Sequence, residues 1–224
     1  MDGNGRWAEA RGLGRSAGHR EGAKSVRKVV TRARERGVEV LTLYAFSTEN
    51  WRRPKTEIGQ LMKLLGEFLV SERSTLLNHQ IALHAIGRPA DLPGAVTGLL
   101  NKVMAETAPN AAMTLNLALS YGSKAELVDA FERLRQEGGA VDETRIEQAL
   151  QTAGQPPVDL LIRTGGEQRL SNFLLWQSAY AELLFTETLW PDFGADALDK
   201  AIAEFGSRER RFGKTGAQIQ RGSP

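Results

Sequence analysis

Asp2, Gly3, Asn4, Gly5 and Arg6 follow one another at the start of the sequence and set a carboxylate, an amide and a guanidinium around two glycines. Glycines let successive backbone N–H groups converge on an anion. A carboxylate can hold a divalent cation, and a guanidinium can grip a phosphate through paired hydrogen bonds. Met1 to Trp7 therefore reads as a cradle for a metal and a diphosphate. The plain alternative is an end that frays because its turn-forming residues bury nothing. Other groups bear on that choice. Arg15 and His19 stand four apart and would share one cationic face of a helical turn, although a lone histidine is more often solvated or capping. Ser47-Thr48-Glu49-Asn50-Trp51-Arg52-Arg53-Pro54 offers a hydroxyl, an amide, an aromatic plane and two guanidinia, in a pattern that a polar loop shares. Arg163, Arg169 and Ser171 flank Gly165-Gly166, a donor-rich concavity suited to an anion.

These groups need elements to carry them. Glu21 to Arg36 has Val26, Val29, Val30 and Ala33 on one stripe with Gly37 as a stop, the pattern of a helix. Val38 to Phe46 is a nearly continuous apolar and β-branched run, the pattern of a strand buried on both faces. Glu57 to Asn78 predicts a long amphipathic helix through Ile58, Leu61, Met62, Leu65, Phe68 and Leu69, with Leu64 and Val70 widening its apolar face. Strands follow at Ile81 to Ala85 and Met113 to Leu119, with a helix from about Ala90 to Glu106 between them. Helices at Lys124–Gln136 and Glu143–Thr152, short strands at Asp159–Arg163 and Leu183–Thr186, and a closing helix at Ala195–Arg211 complete the chain. Strand and helix alternate, which predicts an α/β fold with a mostly parallel central sheet flanked by helices. Ligands of such sheets gather beyond the carboxyl ends of the strands, where the Ser47 and Arg163 groups fall.

The 224 residues carry 41% hydrophobic content and a net charge of +2, which fits one globular domain and leaves no global field for nucleic acid. The sequence pI of 9.0 does not change that, so an anion site must be local. Zero cysteines exclude disulfides, thiol nucleophiles and cysteine-held metals. There is no leader-like segment and no apolar run of about 18 residues, so a cytoplasmic protein is expected. Two nucleotide-binding readings fail on spacing: Gly18 to Ser25 lacks the P-loop order, and Gly12, Gly14 and Gly18 follow no strand and carry one residue too many.

MDGNGRWA, GHREGAKSV, LYAFSTENWRRP, RTGGEQRLSNFLLWQSAYAELLFTETLWPDF and RERRFGK occur in this order, and together they resemble the cis-prenyltransferase family in its undecaprenyl diphosphate synthase branch. The resemblance runs from Met1 to about Lys214. With no repeat or linker the residues read as a single domain over 1–213 with a disordered tail over 214–224, and the resemblance implies an apolar tunnel beside the sheet. It also implies condensation of isopentenyl diphosphate with an allylic diphosphate, usually farnesyl diphosphate, to give a Z-polyprenyl diphosphate for a cell-wall lipid carrier.

The resemblance gives each candidate residue a role. Asp2 and Glu182 would hold Mg²⁺, with Asp2 and Asn50 catalytic. Gly3, Asn4, Gly5, Arg6, Trp7, Arg15, His19, Phe46, Ser47, Trp51 and Arg53 would serve the allylic substrate. Arg163, Arg169 and Ser171 would bind isopentenyl diphosphate. The expected assembly is a homodimer, with the aromatic-rich run from Phe173 to Phe193 at its interface. Arg211 and Gly213, around Phe212, would reach into the partner's site. Peripheral association with a membrane would help product release.

Two features depart from the family pattern. Members have a strand immediately before Asp-Gly-Asn-Gly, so that strand is expected upstream of residue 1. Tyr121-Gly122-Ser123-Lys124 stands where a second glycine and an arginine are usual. A non-catalytic partner subunit of the same fold is the main alternative, and retention of Asp2, Arg15, His19, Arg163, Arg169 and Glu182 argues against it. The remaining alternative is an unrelated nucleotide-binding α/β protein.

Overall fold

The computed structural model describes residues 1–109 and 111–208. The described elements run α1 (Asn4–Glu9), α2 (Arg15–Glu35), β1 (Val40–Ser47), α3 (Lys55–Asn78), β2 (Ile81–Gly87), α4 (Gly94–Thr107), β3 (Met113–Tyr121), α5 (Ser123–Glu137), α6 (Glu143–Ala149), β4 (Leu160–Thr164), β5 (Glu182–Thr186) and α7 (Ala195–Ser207). Short 3-10 turns cover Thr48–Arg52, Pro89–Asp91 and Trp190–Asp192. Every strand pairing is parallel, as the alternation predicts. The strands fall into two hydrogen-bonded groups, β1-β3-β2 and β4-β5.

β3 is the middle strand and is buried on both faces. One face carries Leu115, Leu117 and Leu119 into a core built with Val26, Val29, Val30 and Ala33 of α2, Met62, Leu69 and Leu76 of α3, and Leu100 and Val103 of α4. Each fully buried leucine there contributes about 1.5–3 kcal/mol. On the other face Asn116 is fully buried, and its amide donates to Thr42 and to Gln155 at 3.1 and 2.7 Å. A polar group at the centre of a sheet is tolerated because its hydrogen bonds are made.

The α3 stripe is narrower than its sequence suggests. Val70 is exposed, while Glu72 is buried and accepts Arg27 of α2 through both carboxylate oxygens. Ile58, Leu61, Leu65 and Phe68 stay partly exposed while packed against the core, as do Ala85 of β2 and Val96, Leu99 and Met104 of α4.

The ends of β1 and β3 are irregular. Tyr44 pairs with Ala118, Phe46 with Leu119 and Ser47 with Tyr121, so Ala45 and Ser120 are each skipped. Such bulges bend a strand end and re-aim its side chains. Here they turn the chain into the Thr48–Arg52 segment.

Candidate active site

The segment Met1–Trp7 is anchored at almost every residue. The Asp2 N–H donates to Thr164 Oγ1 at 2.9 Å, the Thr164 hydroxyl donates to the Asp2 carbonyl at 2.9 Å, and the Trp190 N–H donates to that carbonyl at 2.9 Å. Gly3 then takes φ +105°, open to glycine, and a Cβ there would lie 2.8 Å from Leu189. The chain turns at Gly3 directly into α1, a helix that the sequence reading missed.

α1 lies on a face of α2 that carries two glycines. A Cβ on Gly18 would lie 1.9 Å from the Asn4 carbonyl oxygen, and one on Gly22 would lie 2.1 Å from Asn4 Oδ1. The two glycines stand four apart on one side of α2, so the Asn4 backbone and side chain lie directly on the helix surface. The motif read only as a carrier of Arg15 and His19 therefore also seats the amino-terminal segment. Trp7 is an anchor: its indole N–H donates to Asp192 Oδ1 at 2.7 Å, and Arg11 lies 4.1 Å over its ring.

Arg15 stacks its guanidinium against Gly5, where a Cβ would lie 3.2 Å from Arg15 Cζ. His19 sits one turn on, with Nε2 3.8 Å from Glu57 Oε1 and no hydrogen-bond partner although buried. Burial depresses the His19 pKa below 6.5; Arg53 and Arg15 depress it further against the opposing charge of Glu57. The imidazole is thus neutral at neutral pH and able to receive a hydrogen bond. Arg53 donates to Glu57 at 3.0 Å, so Arg15, His19, Arg53 and Glu57 form one cluster.

The Ser47 segment is closed by reciprocal bonds. The Ser47 N–H donates to Asn50 Oδ1 at 3.1 Å, and the Ser47 side chain accepts from the Asn50 backbone. Phe46 is buried and meets the Trp51 ring edge-on at 4.9 Å, so it supports Trp51 from the core.

Arg163 joins the clusters. It donates to Ser171 Oγ at 2.7 Å, to the Arg169 carbonyl, and to Asp2 Oδ2 at 3.0 Å. Partial burial opposes charge on Asp2, but hydrogen bonds from Arg163 and the Gly3 N–H, with the charges of Arg163 and Arg6, hold the carboxyl below the usual range. Gly165 and Gly166 do not form a donor nest: their N–H groups go to the Thr188 and Thr186 carbonyls at 2.9 and 2.8 Å. Their missing side chains instead make room, since a Cβ on Gly165 would lie 2.6 Å from Arg6 Nη2. Ser171, Asn172 and Leu174 all take positive φ, which sets the Ser171 hydroxyl on Arg163.

Asp2, Ser47, Asn50, Arg53, Arg163, Arg169 and Ser171 line one cavity. The clusters that lie far apart in sequence thus meet. Glu182 does not join them. It pairs with Leu160 at the far end of the β4-β5 ladder from Thr164, four residues away, or about 13 Å at the rise of a strand. Its carboxylate accepts from Arg208 at 2.9 Å. Arg211, Gly213 and the tail 214–224 lie outside the described residues.

The family described as "Putative undecaprenyl diphosphate synthase" matches residues 1–213. An isoprenyl transferase of Zymomonas mobilis is 50% identical, with 95% of this chain and 89% of that protein covered. A ditrans,polycis-undecaprenyl-diphosphate synthase, (2E,6E)-farnesyl-diphosphate specific, of Lactiplantibacillus plantarum is 47% identical over 95% of this chain and 86% of its own. Lavandulyl diphosphate synthase from Lavandula x intermedia, solved with dimethylallyl diphosphate, superposes with a TM-score of 0.91 at 36% identity, covering 96% of this chain and 95% of that one.

Proposed function

The chain belongs to the undecaprenyl diphosphate synthase family of cis-prenyltransferases, and we propose that it condenses farnesyl diphosphate with successive isopentenyl diphosphates. The carrying observation is the Arg163–Asp2 hydrogen bond together with the Arg6–Asp2 ion pair at 3.5 Å, which supports a carboxylate shared by two cationic groups suited to diphosphates. Arg6, Arg15 and the first N–H groups of α1 form one half; such N–H groups have no partner within a helix. Arg163, Arg169 and Ser171 form the other.

The residues present fit a magnesium ion. The Asp2 side chain is 41% exposed, and no group of three acidic or histidine side chains gathers among the described residues. Mg²⁺ commonly takes one or two carboxylates and completes its shell with water and substrate phosphates. When bound at Asp2 it would neutralise charge on a departing diphosphate. The arginines bind and orient both diphosphates, which sets the allylic carbon against the isopentenyl double bond. Neutral His19 can accept a hydrogen bond at the allylic end of the cleft, Ser47 and Asn50 position the reacting ends, and Trp51 borders the prenyl chain.

The partly exposed apolar side chains of α3 and α4 support a path for a growing prenyl chain. No helix among the described residues is long and apolar enough to cross a membrane. Exposed Tyr180 just before β5 and Leu183 within it, with Val128 and Phe131 on α5, support self-association as a homodimer. The test incubates the purified protein with farnesyl diphosphate and labelled isopentenyl diphosphate, with Mg²⁺ or with a chelator, and sizes the lipid product. Elongation that depends on Mg²⁺ is expected, and its absence contradicts the reading.

A further inference from the structure

Ser120 is buried, 1% exposed, and takes φ +47° in β3, a conformation that disfavours any residue with a side chain. It is the residue skipped by β1 where Phe46 pairs with Leu119 and Ser47 with Tyr121. Strained backbone persists where the surroundings over-determine it, and here they do. The Ser120 hydroxyl accepts the Trp51 indole N–H at 2.9 Å and donates to Asp91 Oδ2 at 2.7 Å.

Asp91 ends the 3-10 turn Pro89–Asp91, outside the cavity that holds the candidate residues. The turn is fastened to the same strand end. The Arg88 N–H donates to the Leu119 carbonyl at 3.0 Å, and Gly87 lies so close that a Cβ would be 2.2 Å from that oxygen.

We propose that Asp91 is a positioning residue for the Trp51 segment, acting through the hydroxyl of Ser120. A carboxylate accepts hydrogen bonds and does not donate them. The Ser120 proton is therefore committed to Asp91, and a lone pair of the same oxygen is left for the indole N–H. Trp51 is then pinned at two places, by that bond and by its edge-on contact with buried Phe46. Ser47, Asn50 and Arg53 lie on the same short segment, so their approach to the cleft inherits the orientation of the Trp51 ring. The functional part of this inference rests on the reading of that segment as the handler of the allylic substrate.

The test compares Asp91→Ala, Trp51→Phe and their double variant in steady-state elongation, with thermal melts and the indole N–H resonances read by NMR. Each single change should lower kcat by about tenfold, the size of one lost hydrogen bond, while KM for isopentenyl diphosphate stays unchanged because Arg163, Arg169 and Ser171 lie on another segment. The double variant should be no worse than the poorer single one, since both break one chain of bonds. A loss near a hundredfold, the product of independent effects, would overturn the proposal.

Ser120→Ala and Ser120→Gly both remove the hydroxyl, but only glycine relieves the left-handed backbone. Equal losses of kcat with different melting points are expected, and activity that follows the melting point instead would overturn it. The Trp51 indole resonance, identified by its disappearance in Trp51→Phe, should move upfield in Asp91→Ala, and an unmoved resonance would overturn the relay itself. That readout needs no turnover. A wild-type protein that fails to elongate contradicts the proposed function, whereas an elongating one with additive variants contradicts only this inference.

Discussion

Gly18→Ala puts one methyl group where α1 lies on α2. The new Cβ would sit 1.9 Å from the Asn4 carbonyl oxygen, against about 3.4 Å for ordinary contact, so α1 must retreat by about 1.5 Å. Alanine in place of an interior helical glycine gains about 1 kcal/mol. Overpacking of this kind costs about 1–3 kcal/mol, so a net loss of about 0–2 kcal/mol remains. In a chain of this length that lowers the melting midpoint by at most about 8 °C. Turnover should suffer far more, because Asp2 and Arg6 ride on the displaced segment and a misplacement of about 1 Å can cost about a hundredfold. The assay pairs thermal unfolding with elongation of farnesyl diphosphate. Gly98→Ala on α4 is the control: nothing lies within 4 Å of its Cβ position, so it should gain up to about 1 kcal/mol and keep full turnover. A Gly18→Ala protein that melts like Gly98→Ala and elongates at the wild-type rate would refute the seating of α1 on the glycine face.

Asp2→Ala should lower turnover by orders of magnitude yet shift the melting midpoint by no more than about 2–4 °C, because a carboxylate this exposed contributes about 1 kcal/mol or less; a loss of only a few-fold in kcat would count against its metal role. The His19 pKa lies below 6.5 in the folded protein, so the unfolded chain binds that proton more readily. Stability due to the neutral imidazole is present above pH 6.5 and is lost as pH falls through the folded value. His19→Gln should therefore shrink the drop in melting midpoint between about pH 7.5 and 5, measured by calorimetry, and an unchanged drop would remove His19 as its source. Tyr180 is 81% exposed, and Tyr180→Glu should convert a dimeric sedimentation profile to a monomeric one; an unaltered profile would place any interface elsewhere.

Periodicity carried most of the fold. The Val26, Val29, Val30, Ala33 stripe, the α3 helix and the strands fell where patterning puts them, but the burial did not: β1, whose apolar run predicts burial on both faces, is mostly half-buried, and the alternating β3 is buried on both. Residue chemistry showed that Asp2, Asn50 and Arg163 were candidates, and the structure brings them to one cavity. Steric fit stayed out of reach. Gly18 and Gly22 look like ordinary helix glycines until Asn4 is laid on them, and Gly165-Gly166 looked like an anion nest until Thr188 and Thr186 took its N–H groups. A signal was present in the first case, since two glycines four apart in an otherwise regular helix imply close approach of another backbone. Nothing in sequence pattern exposes the left-handed Ser120, and Glu182 is separated from Asp2 by a strand register that only pairing reveals.

The proposed chemistry depends most directly on where two diphosphates bind relative to Asp2. A crystal structure of the protein with isopentenyl diphosphate, a non-ionisable thio-analogue of farnesyl diphosphate and Mg²⁺ would locate both. The expected result places the allylic diphosphate on Arg6, Arg15 and the start of α1, the isopentenyl diphosphate on Arg163, Arg169 and Ser171, and the ion on Asp2 between them. Two diphosphates bound away from Asp2, or both on one of these arginine groups, would contradict it.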